Sequence, residues 1–201
     1  MRKLNYILAM FFVVCLFPKL SAQKTVTVSR VGDLLSQFVS NQTVVLKPGE
    51  YVLSGSKEYF SELVEYQYCY DGYELHVKNL KNFTLKSEGG AKETHLLTHP
   101  VNGCVIVFEN CENITIEGFK AGHGPESGQC MGGVFKFVHC TNVVVNDCVL
   151  YGSGAEGITC EGVSQMTMSN SVIEECTYSI MCLMNTANVT FSKCKFRYNQ
   201  E

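Results

Sequence analysis

Apolar and polar positions alternate with a period of two in short runs along most of this chain, and the runs recur at regular intervals. Phe83-Thr84-Leu85, Ile114-Thr115-Ile116, Val143-Val144-Val145, Met166-Thr167-Met168 and Val189-Thr190-Phe191 each place two large apolar side chains on one face. The middle residue, most often threonine, faces the other way, which is the signature of a half-buried strand. Each run follows a four-residue turn: Asn79 to Asn82, Asn110 to Asn113, His139 to Asn142, Gly162 to Gln165 and Asn185 to Asn188. The first slot of the turn is always Asn, His or Gly, residues that tolerate positive φ. With the last turn residue as anchor, successive repeats are 31, 29, 23 and 23 residues apart. Periods of this length indicate a solenoid.

Two further columns run in register with the first. Ahead of each turn lie the pairs Leu75/Val77, Ile106/Phe108, Phe135/Phe137, Ile158/Cys160 and Met181/Leu183. Behind each strand come Phe119/Ala121, Cys148/Leu150, Ser171/Ile173 and Cys194/Phe196. Three short strands per repeat, with like residues aligned, predict an all-β parallel β-helix whose coils stack about 4.8 Å apart. The Leu-x-x-Leu-x-Leu spacing of a leucine-rich horseshoe is absent.

Over roughly residues 43 to 196 this pattern resembles the right-handed parallel β-helix (pectin-lyase-like) family. Gly128-Gln129-Cys130-Met131-Gly132-Gly133-Val134 and Cys148-Val149-Leu150-Tyr151-Gly152 are similar to patterns in small secreted bacterial β-helix proteins of unassigned activity. The resemblance implies a right-handed parallel β-helix solenoid with an N-terminal amphipathic capping helix. It does not select an activity, because this fold carries lyases, hydrolases, epimerases, adhesins and inert scaffolds. A pectate lyase would imply an aspartate cluster for calcium and an arginine base, whereas Asp33, Asp71 and Asp147 are far apart in sequence and Arg197 is near the end. The Asn-Thr-Asp and Arg-Ile-Lys patterns of polygalacturonases are absent as well.

Residues 1–22 read as a secretory signal peptide, with Arg2 and Lys3, an apolar run from Tyr6 to Phe17, and Leu20-Ser21-Ala22 at the cut. Cys15 lacks the small residue before it that lipidation requires, and no later apolar run is long enough to span a bilayer. Loss of Arg2, Lys3 and Lys19 from 16 basic residues leaves 13 against 19 acidic ones. A net charge of −6 excludes nucleic acid as the main partner and disfavours a polyanionic glycan. Residues 23–42 form the expected cap, a strand from Thr25 to Val28 and a helix with Val31, Leu34, Leu35 and Phe38 on one face. Residues 43–201 form the single β-helix domain, entered through the Pro48-Gly49 turn before Tyr51. Glu201 stands five residues past Phe196 with no capping element. Either the chain is truncated there or a partner or second copy covers the end.

Chemistry is expected where the repeat is interrupted. From Ser54 to Tyr73 the periodicity is lost and tyrosines gather. Tyr66 and Tyr68 either pack on the wall or offer a platform for sugar rings. The two long repeats carry their excess in Ser87 to Asn102 and Ala121 to Gly132, each expected behind the third strand and so on one face. The loops at that third corner hold His123, Tyr151 and Glu175 as candidate catalytic residues, with Glu126, Glu156 and Tyr178 as candidate ligand contacts. These residue types suffice for acid and base work on a glycan, and equally for solvated structural loops.

Ten cysteines follow the leader. Cys111 and Cys140 share one inward column, Cys148 and Cys194 another around Ser171, and Cys160 also lies inward, so buried thiol ladders are expected. Cys69, Cys130 and Cys176 are the disulfide candidates. No Cys-x-x-Cys spacing supports zinc, and no cofactor is expected. Asn41, Asn82, Asn113 and Asn188 open Asn-x-Thr sequons that follow from the turn pattern. The favoured function is an exported carbohydrate-binding or surface module. A polysaccharide lyase or hydrolase and a structural or adhesive module are the alternatives.

Overall fold

A computed structural model of the chain describes residues 23–124, 131–152 and 154–198. The expected leader 1–22 with Cys15, and the corner residues Glu126 and Cys130, lie outside the described residues.

The chain winds through three sheets in turn. The first sheet stacks Lys24–Val28, Gln42–Leu46, Lys81–Ser87, Glu112–Glu117, Thr141–Asn146, Ser164–Ser169 and Ala187–Ser192. The second stacks Val64–Tyr68, Tyr73–Lys78, Ile106–Glu109, Phe135–Val138, Glu156–Glu161 and Ser179–Met184. The third stacks Gly49–Val52, Thr94–Thr98, Lys120–His123, Val149–Tyr151, Val172–Glu174 and Lys195–Arg197. Neighbouring strands pair in parallel, except that Val64–Tyr68 runs antiparallel to Tyr73–Lys78. Val143 pairs with Met166 and Met166 with Val189, so the anchor columns align on one sheet.

Inside, the columns form the core. Phe83, Ile114, Val143 and Met166 of the first sheet are fully buried, as are Ile106, Phe135 and Ile158 of the second. Phe108 and Phe137 stack with ring centroids 5.5 Å apart and planes 10° from parallel. Leu80, Cys111, Cys140 and Val163 fill one buried turn column, and Phe119, Cys148 and Ser171 another. The Cys111 thiol is pushed up in pKa by the Cys140 sulfur beside it and by burial.

The turns are stacked as firmly as the strands. The N–H groups of Asn79, Asn110, His139 and Gly162 donate to the carbonyls of Glu109, Val138, Glu161 and Met184 one coil on, at 2.7–2.9 Å. Asn79, Asn110, His139, Gly162 and Asn185 have φ between 48° and 63°. The anchors Asn82, Asn113, Asn142, Gln165 and Asn188 are left-handed too, so each turn bends the chain twice. On the outside, Asn142 donates its amide to Asn113, Asn113 to Asn82 and Asn82 to Asn41, at 2.7–2.8 Å. Three of the sequon asparagines are thus rungs of a side-chain ladder.

Three boundaries differ from the sequence reading. The excess of the first long repeat does not all follow the third strand, because Thr94–Thr98 is that strand and splits it. In the second, Lys120–His123 is strand and only the residues after it are loop. Within the tyrosine-rich stretch, Val64–Tyr68 forms a hairpin arm on the second sheet. The cap is as expected in kind but short: the helix covers Val31–Leu35, with Leu34, Leu35 and Phe38 buried. Phe38 packs on Phe83 with centroids 5.3 Å apart. At the other end, Leu183 and Phe196 are 41% and 40% exposed, whereas their column mates Phe137 and Leu150 are at 0%.

Removal of the Phe137 ring by Phe137→Ala is expected to cost about 3–5 kcal/mol, read as a lower urea midpoint. Asn113→Ala loses both ladder contacts and puts a side chain with no local hydrogen bond at φ 57°. It should cost about 1–2 kcal/mol, with part recovered by Asn113→Gly.

Candidate functional site

The outward face of the third sheet carries an open cleft of about 480 Å³, bounded by the corner that follows each strand. Parallel register sets its composition. Glu50 lies beside His95, and His95 beside Lys120. In the neighbouring column Val52, Leu97, Gly122 and Tyr151 follow one another up the sheet. Glu50, His95, His99, Tyr151 and Glu175 supply the polar lining, with Val52 and Leu97 beneath.

Gly122 is required here. A Cβ at this position would lie 2.4 Å from the Tyr151 carbonyl oxygen and 2.7 Å from its ring Cε1, so the ring lies back over the glycine. Lys120 Nζ sits 4.5 Å from the centroid of the same ring. With its ring so engaged, Tyr151 presents mainly its hydroxyl, which donates to the His123 carbonyl at 3.5 Å. Burial raises the pKa of this hydroxyl, and the charges of Glu50 and Glu175 raise it further. It is a proton donor at neutral pH, not a phenolate base.

His123 lines the cleft with its backbone at the end of its strand, but its side chain shares the inward face with Ala121 and is 4% exposed. A carbonyl can only accept, so the 2.9 Å contact with Gly103 fixes the proton on Nε2. Nδ1 is buried with no hydrogen-bond partner. Burial lowers the pKa, outweighing the Gly103 and Gly152 carbonyls and the charge of Asp71. The ring is therefore neutral near pH 7, and its one lone pair lies inside the wall.

His123, Tyr151 and Glu175, expected to gather at the third corner, line the same cleft. The other described candidates do not. Glu156 opens a strand of the second sheet and its carboxylate accepts the Thr159 hydroxyl at 3.3 Å. Tyr178 is exposed, outside the cleft lining. Tyr66 is half-buried against the core, its hydroxyl bonded to the Leu53 carbonyl and its pKa raised by burial. Tyr68 is 68% exposed and meets Tyr73 edge-on at 5.6 Å, away from the cleft lining.

Glu50, His95 and His99 were not singled out from the sequence. The two histidines fell in the stretch taken for an insertion, and the signal that finds them is the register of Thr94–Thr98 with Gly49–Val52. Of the disulfide candidates, Cys69 is a half-buried thiol whose pKa burial and two nearby carboxylates raise to about 11. Cys176 is buried with its sulfur 3.7 Å from the Glu174 carbonyl. Among the described residues no group of three or more His, Cys, Asp or Glu converges as a metal site. No described helix is long and apolar enough to cross a membrane.

Three parallel sheets closed around stacked columns define a parallel β-helix, here with a polar cleft on one outer face. The sequence family of the right-handed β-helix region matches residues 99–201, a little over half of the 201-residue chain, and the protein belongs to that family. No curated protein sequence matches significantly. Among solved structures it is similar to a candidate glycosyl hydrolase from Parabacteroides merdae, with 13% identity and a TM-score of 0.55 over 81% of this chain and 76% of that one. It is also similar to an alginate lyase from a Paenibacillus species, with 11% identity and a TM-score of 0.55 over 87% of this chain and 67% of that one. At these identities the likeness is one of fold.

The depressed pKa of His123 gives a pH dependence whose sign is fixed. Below about pH 6.5 the unfolded chain protonates this histidine while the folded one does not, so stability held above that pH is lost as pH falls toward the folded pKa. Urea midpoints at pH 7.5 and pH 5 should therefore differ more in the native protein than in His123→Gln.

Proposed function

We propose that this is an exported carbohydrate-interacting β-helix that holds a glycan strand in the third-corner cleft. The supporting observation is convergence: residues from five successive coils, from Glu50 through His95, His123 and Tyr151 to Glu175, line one open groove. Carboxylates accept, a phenol donates, and imidazoles do either, which is the complement a run of sugar hydroxyls needs. The arrangement suits holding better than cleaving. The backbone positions of Glu50 and Glu175 are four coils apart. Tyr151 is held protonated and His123 is turned inward, so neither is placed as a ready base. The leader in residues 1–22 supports export.

Titration calorimetry against cellulose-, xylan- and mannan-derived oligosaccharides tests the main reading. Tyr151→Phe and His95→Ala should each weaken binding about tenfold, the loss of one or two polar contacts, with an unchanged melting profile. Binding unaffected by both substitutions would move the site elsewhere. Reducing ends released by the native protein and lost in His123→Ala would replace binding with catalysis.

A further inference from the structure

The charge of the cleft discriminates among glycans. Among the described residues no lysine or arginine lines it, while Glu50 and Glu175 stand at its two ends. Lys120, in register with His95, projects from the same outward face but is drawn onto the Tyr151 ring at 4.5 Å and is not part of the lining. Within the lining, the His95 imidazole is 3.8 Å from Glu50. The Nε2 proton of His123, a donor that might have met an anion, is given to the Gly103 carbonyl. What faces a ligand is therefore rich in acceptors and poor in cations. The carboxylates also act across the cleft, since both raise the pKa of the Tyr151 hydroxyl between them.

We propose that Glu50 and Glu175 act as an electrostatic filter, so that the cleft admits an uncharged, hydroxyl-rich glycan and rejects polyuronates. The inference rests on the glycan-binding reading and adds the substrate class and the residues that set it. Discrimination of this kind works through repulsion of the wrong ligand as much as attraction of the right one. A uronate strand brings one carboxylate per sugar unit alongside two fixed carboxylates, and desolvation in the groove strengthens each repulsion beyond its value in bulk water. An uncharged strand meets the same oxygens as hydrogen-bond acceptors.

The test compares the native protein with the Glu50→Gln/Glu175→Gln double variant and with Glu175→Lys. The probes are neutral oligosaccharides from cellulose and xylan and acidic ones from polygalacturonate and alginate. Binding is measured at pH 8 and low ionic strength, and again in 0.5 M salt. Both glutamates are exposed, so the variants keep the fold, as melting curves would verify. The native protein should bind at least one neutral oligosaccharide and bind the acidic ones at least about tenfold more weakly. The double variant should shift the acidic-to-neutral binding ratio about tenfold or more toward the acidic probes, because glutamine keeps an acceptor but removes the charge. Glu175→Lys should shift further the same way, and salt should shrink the difference. Equal native binding of neutral and acidic probes, or an unchanged preference in both variants, overturns the filter while leaving glycan binding standing. Failure of every probe on all three proteins overturns the glycan reading itself, and the filter with it.

Discussion

The constraint that governs this molecule is in-register stacking of one coil on the next. Strands inside each sheet take their hydrogen bonds from the coils on either side, and the turns stack through pairs such as Asn110 N–H to the Val138 carbonyl. Because the contact is between like positions, a residue suited to its own coil must also suit the equivalent residue about 4.8 Å away. Phe108 on Phe137, Cys111 beside Cys140, and Asn113 between Asn82 and Asn142 are solutions of that condition in apolar, thiol and amide chemistry. Leu183 and Phe196 lie in the last described coil, with no described coil over them, and are exposed although their column is otherwise buried.

Stacking also decides where variation is tolerated. The turn between the second and first sheets needs two left-handed residues in each coil, and its second slot is a buried column of Leu80, Cys111, Cys140 and Val163. Insertion there would break both the column and the hydrogen bonds between turns. The corner after the third sheet varies in length instead. Its connections run from four residues at 152–155 to seven at 99–105 and eleven at 124–134. Loops of unequal length on successive coils leave a recess between them, and the outward side chains of the third sheet form its floor. The cleft is thus a consequence of the one corner that the repeat leaves unregulated.

The same logic explains how far the sequence could be read. The columns through Val143, Leu150 and Phe137 repeat apolar residues at fixed spacing, so the fold and the third corner were visible, and with them His123, Tyr151 and Glu175. The strand Thr94–Thr98 was hidden because its inward positions Thr94 and Thr98 are polar and only Leu96 fits the apolar pattern. Ser87 compensates Thr94 by donating its hydroxyl at 2.6 Å, a tertiary contact that alternation cannot reveal. Missing this strand hid His95 and His99. The antiparallel arm Val64–Tyr68 was obscured in another way, since a tyrosine at Tyr66 serves a wall and a surface equally well until its hydroxyl partner, Leu53, is known. The inward turn of His123 was not legible either: flanking glycines suggested a loop, whereas pairing with Thr98 makes it the last residue of a strand.

That pairing carries the strongest argument that the cleft is more than a gap between loops. Among the described residues, two buried side-chain polar atoms lack a hydrogen bond, Thr98 Oγ1 and His123 Nδ1. They belong to residues directly opposite each other on adjacent strands, both behind the cleft wall. Elsewhere the interior avoids this cost: Ser171 donates to the Ser169 carbonyl and accepts from Cys148 N–H, and Cys140 directs its thiol to the Phe108 carbonyl. A buried unpaired polar group costs about 1–3 kcal/mol, and a valine or leucine at either position would suit the column at no such cost. Departures from local packing rules concentrate where a protein does something other than fold. Here the two departures lie behind the face on which Glu50, His95, Tyr151 and Glu175 converge.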